Sequence, residues 1–121
     1  MSGLDVAKKF EKEMKSGTAA LVLLSVLARA DQPLYGYLIA KQLEMESDGD
    51  PIINQGAIYP VLRSLESSKL LESQVEPSTS GPPRRYYRIT ELGRQTLVEW
   101  EKIWRTTRDF VESSLKGAQN D

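Results

Sequence analysis

Leu71-Glu72-Ser73-Gln74-Val75-Glu76-Pro77-Ser78-Thr79-Ser80-Gly81-Pro82-Pro83-Arg84-Arg85-Tyr86-Tyr87-Arg88-Ile89-Thr90 is the stretch whose reading decides the fold. Two short extended runs, Leu71 to Glu76 and Arg84 to Thr90, flank Pro77 to Pro83, a segment rich in residues that strand interiors reject. The pattern predicts a β-hairpin with a Pro/Gly-rich tip. Because side chains alternate along a strand, Tyr87 and Ile89 share one face while Arg84, Tyr86 and Arg88 share the other. The Tyr87 face is expected to meet a core, since an aromatic pair on a strand is more often packing than function.

Upstream of the hairpin the apolar period changes from two to three and four. Val6, Ala7, Phe10 and Met14 make one stripe opposite Lys8, Lys9, Lys12 and Glu13, which predicts an amphipathic helix over Leu4 to Lys15. Ser16-Gly17 is expected to interrupt it, with Thr18 capping a second segment, Ala19 to Arg29. There Leu21, Val22, Leu23, Leu24, Val26 and Leu27 leave little polar face, so this segment belongs in the core. Asp31-Gln32-Pro33 reads as a turn, and Tyr35, Leu38, Ile39 and Leu43 mark a helix ending near Glu46. Ser47 to Pro51 reads as a loop, and Ile52-Ile53 as a very short strand. Asn54 is a suitable N-cap for a helix that turns Ile58, Leu62 and Leu65 inward. Pro60 lacks an amide hydrogen and its ring crowds the carbonyl of Gly56, so an irregular first turn is expected.

Downstream, Thr90 is expected to cap a last helix from Glu91 to Leu115, with Glu91 favoured by the helix dipole. Leu97, Trp100, Trp104, Thr107 and Val111 follow the spacing of a coiled-coil seam, and Ile103 and Phe110 add a second apolar row. This is more apolar surface than one small domain covers, so the sequence predicts a homodimer. The expected interface is Phe10, Met14, Leu97, Trp100, Ile103, Trp104, Thr107, Phe110 and Val111. The fold class is mainly α with a small β-hairpin: an N-terminal amphipathic helix (1–17), a winged helix-turn-helix domain (18–90), and a C-terminal dimerisation helix with a short tail (91–121).

Composition narrows the chemistry. Cysteine and histidine are both absent, which removes disulfides, thiolate chemistry, Ser-His and Cys-His nucleophile pairs, and zinc sites built on those ligands. The acids are scattered at helix-surface spacing or clustered in one loop, so no enzyme, metal or cofactor is expected. No run of eighteen apolar residues occurs, and Met1-Ser2-Gly3-Leu4-Asp5 lacks the features of a secretory signal, so a cytoplasmic protein with no membrane partner is expected. A net charge of −1 does not advertise a nucleic-acid binder, but its distribution is uneven. Glu44, Glu46, Asp48 and Asp50 form an acidic run, whereas Arg84, Arg85, Arg88 and Arg94 are interrupted only by Glu91. Either run is also explained as a solvated face.

Helix, helix, helix, hairpin is the order of a winged helix. Such a unit can place its third helix in the major groove, where base edges present distinct donor and acceptor patterns, and its basic hairpin on phosphates or in the minor groove. Asn54 through Arg63 is the candidate reader: Gln55 can pair with adenine, Ala57 can touch a thymine methyl, and the free amides of the first turn can hold a phosphate. Tyr59 and Arg63 are equally well read as surface residues of a core helix.

Three stretches, Tyr35-Gly36-Tyr37, Gln55 through Glu66, and Gly81 through Gly93, closely resemble the signature segments of PadR-like regulators in order and spacing, and the resemblance covers about Thr18 to Leu115. The resemblance implies a homodimer whose last helix exchanges contacts with its partner, and repression of genes for detoxification, efflux or stress. It implies a DNA-contacting set of Gln55, Ala57, Tyr59 and Arg63 in the reader, Lys41 in the preceding helix, and Arg84 and Arg85 in the wing. Tyr35, in the first signature stretch, and Asn54, at the head of the reader, complete that set. The partner is double-stranded DNA carrying a pseudo-palindromic operator. Ala57 stands where the family often has threonine, and the acidic run lies near the reader. In short members a tryptophan near the Trp104 position can line a cavity at the dimer interface that accepts flat aromatic compounds, so Trp100 and Trp104 are candidate ligand residues. Two other readings stay open: a winged-helix protein-interaction module, and an aromatic-ligand sensor that binds no DNA. The arginines beside a Gly-Pro-Pro tip favour DNA.

Overall fold

A computed structural model describes residues 2–47 and 53–119. The elements run α1 (Gly3–Arg29), β1 (Leu34–Tyr35), α2 (Gly36–Glu46), α3 (Gln55–Ser67), β2 (Leu71–Ser78), β3 (Gly81–Ile89) and α4 (Glu91–Gln119). Among the described residues three strands form one antiparallel sheet in the order β1-β3-β2. The architecture is the expected winged helix-turn-helix, mainly α, with a long C-terminal helix.

One core holds these elements together. Leu23, Leu24, Val26 and Leu27 from α1 meet Ile39 and Leu43 from α2, Ile58, Leu62 and Leu65 from α3, and Leu71 and Tyr87 from the sheet. Each such side chain is worth about 1.5–3 kcal/mol when fully buried, and each comes from the face that the apolar period selects. Tyr87 is the sheet's aromatic contribution to the core, as the strand alternation requires.

Four expectations need correction. The break at Ser16-Gly17 is absent: α1 is continuous from its Ser2 cap, whose hydroxyl accepts from the Asp5 amide at 3.2 Å. Thr18 does not cap forward; its hydroxyl donates back to the Met14 carbonyl at 2.8 Å, a bond available only inside a helix. A glycine interior to a helix costs about 1 kcal/mol, too little to stop a helix already propagating into an apolar segment. The boundary between 17 and 18 therefore falls within one helix.

The hairpin is longer than expected. Its strands pair as far as Ser78 opposite Gly81, leaving only Thr79 and Ser80 as the turn, so Arg84 and Arg85 lie within β3 opposite Glu76 and Val75 rather than at the tip. The prolines are accommodated because β1 reaches only Tyr86 and Tyr87, which leaves the Pro82-Pro83 end of β3 with one neighbour, and because a register shift between Glu76 and Ser78 absorbs Pro77.

Among the described residues the third strand is Leu34–Tyr35, beyond the Pro33 turn. Ile53 is a buried bend, and Ile52 lies outside the described residues. Finally, α4 continues past Leu115 to Gln119.

Two junctions set the geometry. Asn54 holds the N-cap position of α3 without a side-chain bond, and the first turn closes by a short-range hydrogen bond from the Ala57 amide to the Asn54 carbonyl at 2.9 Å, the expected irregularity upstream of Pro60. At the other end Lys69 adopts φ 65°, the Lys69 amide donates to Glu66 and the Leu70 amide to Leu65, so α3 ends in a Schellman motif closed by buried Leu65 and Leu70. Thr90 then caps α4 as expected, accepting from the Gly93 amide at 3.0 Å.

Candidate nucleic-acid interface

With Ile58, Leu62 and Leu65 turned into the core, helical spacing turns Gln55, Ala57, Tyr59 and Arg63 outward, and all four are exposed, as is Asn54. Tyr59 is fixed by a glycine. A Cβ at Gly36 would sit 2.4 Å from the Tyr59 ring and 2.7 Å from its hydroxyl, so only glycine lets the phenol lie across the start of α2. Two of the recognisable sequence stretches are thus the two halves of one contact.

The strand alternation separates Arg84 from Arg85. Arg84 lies on the outer face with its guanidinium carbon 4.5 Å from the centre of the Tyr35 ring. Tyr35 meets Tyr86 edge-on at 5.3 Å and stacks with Tyr37 at 6.3 Å. The Lys41 ammonium lies 5.9 Å from the Tyr37 ring. A row of aromatic rings with a cation at each end therefore joins the wing to α2, each cation–π contact contributing about 0.5–1 kcal/mol at exposed sites.

Arg85 points the other way. Its Nη1 donates to Ser73 Oγ at 2.9 Å, and the Ser73 hydroxyl donates to Glu66 Oε2 at 2.5 Å. Tyr59, Arg63, Glu66, Arg85 and Tyr87 line one cleft of about 450 Å³ between α3 and β3. Burial pushes the Tyr87 phenol up, with the Glu66 charge adding to the shift. The remaining wing cation, Arg88, is paired with Glu72.

The structure therefore brings the expected residues into three places: Tyr35, Lys41 and Arg84 along the aromatic row; Tyr59, Arg63 and Arg85 in the cleft; Asn54, Gln55 and Ala57 at the start of α3. Sequence reasoning missed Ser73 and Glu66, whose roles depend on pairing across elements. It also missed Lys8 and Lys12, one turn apart on α1, which line a groove with Asn54 and Ala57. Of the acidic run, Glu46 is drawn toward the end of α1: hydrogen bonds from Gln42 and Arg29 hold its carboxyl below the usual range. Glu44 is exposed, and Asp48 and Asp50 lie outside the described residues.

On α4 the two tryptophans part company. Leu97 and Trp100 are half-buried against the protein's own core, so Trp100 does not stand open on the seam beside Trp104. Trp104 separates two grooves, one of about 470 Å³ that reaches Arg29, Leu43 and Glu46, the other of about 440 Å³ along Met14 and Thr18. Phe10, Met14, Ile103, Thr107, Phe110 and Val111 are exposed, Phe110 at 76%.

Residues 23–99 match the family described as "Transcriptional regulator PadR-like family". A PadR family transcriptional regulator from Eggerthella lenta is 36% identical, with a TM-score of 0.77 over 92% of this chain and 93% of that one. A transcriptional regulator from Clostridium thermocellum is 25% identical, with a TM-score of 0.74 over 84% and 96% of the two chains. A PadR-like regulator from Bacillus cereus is 28% identical, with a TM-score of 0.67 over 85% and 96%.

Proposed function

The chain belongs to the PadR-like family of transcriptional regulators, DNA-binding proteins rather than enzymes, and on that premise we propose that it is a homodimeric repressor released from a pseudo-palindromic operator by a small aromatic effector. The observation that carries this reading is the presence of two distinct exposed surfaces. One presents Gln55, Ala57, Tyr59 and Arg63 beside the wing; another presents uncovered apolar rows on α1 and α4.

In the proposed complex α3 enters the major groove, Gln55 and Ala57 meet base edges, and wing and α2 cations meet phosphates. Two-fold symmetry of the protein then requires half-sites about 10 base pairs apart, or a multiple of that. A second copy covers Phe10, Met14, Ile103, Phe110 and Val111. Trp104, the more exposed indole, supplies a flat face for stacking against an aromatic ligand between the subunits. Such a ligand weakens operator binding by its preference for a different angle between the long helices, typically about 1–3 kcal/mol. The protein acts where the DNA is, in the cytoplasm.

A gel-shift assay with the DNA upstream of the protein's own gene, run across a salt series against a scrambled competitor, tests target and specificity together. Binding that the scrambled duplex removes as readily as the authentic one defeats the operator reading. Saturable quenching of tryptophan fluorescence by planar aromatic dyes, lost in Trp104→Ala, is the expected signature of the effector site.

A further inference from the structure

The cleft between α3 and β3 has a property that its separate residues do not. Arg63 and Arg85 arrive from different elements, one from the recognition helix and one from the wing, yet both line the same 450 Å³ space. Two guanidiniums converging without compensation repel each other. Glu66, on the wall of that cleft, offsets one of the two charges and leaves a net single positive charge. Its carboxylate does not bind Arg85 directly: Ser73 stands between them, donating its hydroxyl to Glu66 and accepting from Arg85 Nη1 at 2.9 Å. The Arg85 fork is thereby held at one nitrogen by half-buried Ser73, while Arg85 itself is exposed and lines the cleft.

We infer that the cleft is the seat of a single DNA backbone phosphate, held jointly by Arg63 and Arg85, and that Ser73, tied to Glu66, is the positioning residue that aims Arg85 at it. The inference rests on the DNA-binding reading above and assigns to it a shared contact rather than two independent ones. The chemistry fits: guanidinium is planar, presents several donors in a fixed fork and matches phosphate oxygens, and charge-assisted bonds of this kind are the strong ones. One phosphate held from both sides also fixes the angle between the reader and the wing on the duplex. Arg84, its charge laid on the Tyr35 ring on the opposite face of the strand, takes no part in this seat.

The test uses the full-length protein, a fluorescein-labelled duplex of the DNA upstream of its own gene, and anisotropy over a sodium chloride series. If Arg63 and Arg85 share one phosphate, Arg63→Ala with Arg85→Ala lowers the log–log salt slope by about 0.9 per subunit, whereas two separate phosphates require about 1.8. Ser73→Ala, which keeps both arginines, is expected to weaken binding roughly three- to tenfold with the melting temperature unchanged. Ser73→Thr, which restores a hydroxyl, is expected to recover it. A fall near 1.8, no change in slope, or a Ser73→Ala protein indistinguishable from wild type overturns the proposal. A wild-type protein with no salt-dependent affinity for the duplex defeats the DNA-binding reading itself, and the seat with it.

Discussion

The winged-helix body and the far parts of its two long helices use apolar residues in opposite ways. Between Ala19 and Tyr87 the large apolar side chains converge, and Leu23, Leu24, Ile39 and Leu62 reach zero exposure. In α1 before Ala19 no residue is buried, and in α4 only Gly93 is, although both stretches carry Phe, Ile, Val and Leu at helical spacing. The contrast teaches that the body covers its large apolar core side chains within a single chain and the extensions do not. Those uncovered stripes are the ground on which the proposed dimer rests.

The strongest way to break this contrast is to put charge on the extensions. Trp104→Asp with Val111→Asp should convert the proposed dimer to monomers by sedimentation, since each carboxylate buried without a partner costs several kcal/mol, on the order of 2–7 for a polar group. Retention of the body's cooperative melt in the same variant sharpens the contrast; a persistent dimer breaks it. The converse substitution is Leu62→Ala. It should lower the unfolding free energy by about 2–5 kcal/mol in a denaturant titration, because the body collapses only partly around the missing volume.

Smaller effects probe the body's outer edge. Gly36→Ala pushes a methyl group into the Tyr59 ring, and either the ring or α2 must shift; a loss of about 1–3 kcal/mol is expected, with weaker DNA binding. An unchanged melt and unchanged affinity would show that the contact is dispensable. The smallest effect is electrostatic. Glu46 has a folded pKa below its unfolded value of 4.5, so its contribution is present above that value and is lost as pH falls through the folded pKa. The pair with Arg29 is about half exposed, which limits this term to under about 0.5 kcal/mol. Glu46→Gln should lower stability by no more than this amount at neutral pH and flatten the acid limb of the stability curve below pH 4.5, where variant and wild type converge.

Period and punctuation made most of the body legible from sequence: the α3 face through Ile58, Leu62 and Leu65, the Thr90 cap, and the alternation that buries Tyr87. The errors have a common origin. Ser16-Gly17 reads as a stop only locally, and the cost of Gly17 is overridden by helix propagation into the core segment. Prolines 77, 82 and 83 read as a wide tip because an edge position and a register shift are properties of the assembled sheet. For the candidate site the sequence supplies a list of residues but not their arrangement. That Arg84 and Arg85 face apart follows from strand alternation; that Arg85 reaches Ser73 and Glu66 requires knowing the register of β2 and the direction of α3. Trp100 and Trp104 look equivalent at a four-residue spacing, and only the position of the core separates them.

The base of α4 has a mechanical consequence. Thr90 is tied to Lys69 and Leu70, Gly93 is pressed so close to the Leu70 carbonyl that a Cβ would lie 2.2 Å from it, and Arg94 donates to the Ala28 carbonyl at 3.2 Å. The helix is thus clamped over its first turn, lies against α1 as far as Trp104 and is uncovered beyond it, which makes its far end a cantilever. At about 1.5 Å per residue the free arm from Trp104 to Leu115 is about 16 Å long, so a tilt of about 5° moves Leu115 by about 1.4 Å. Read in reverse, a load applied late in α4 reaches the clamp as a large torque over a small angle. The same residues that close the hairpin are the fulcrum, so the wing root bears whatever the far end of the helix is made to do.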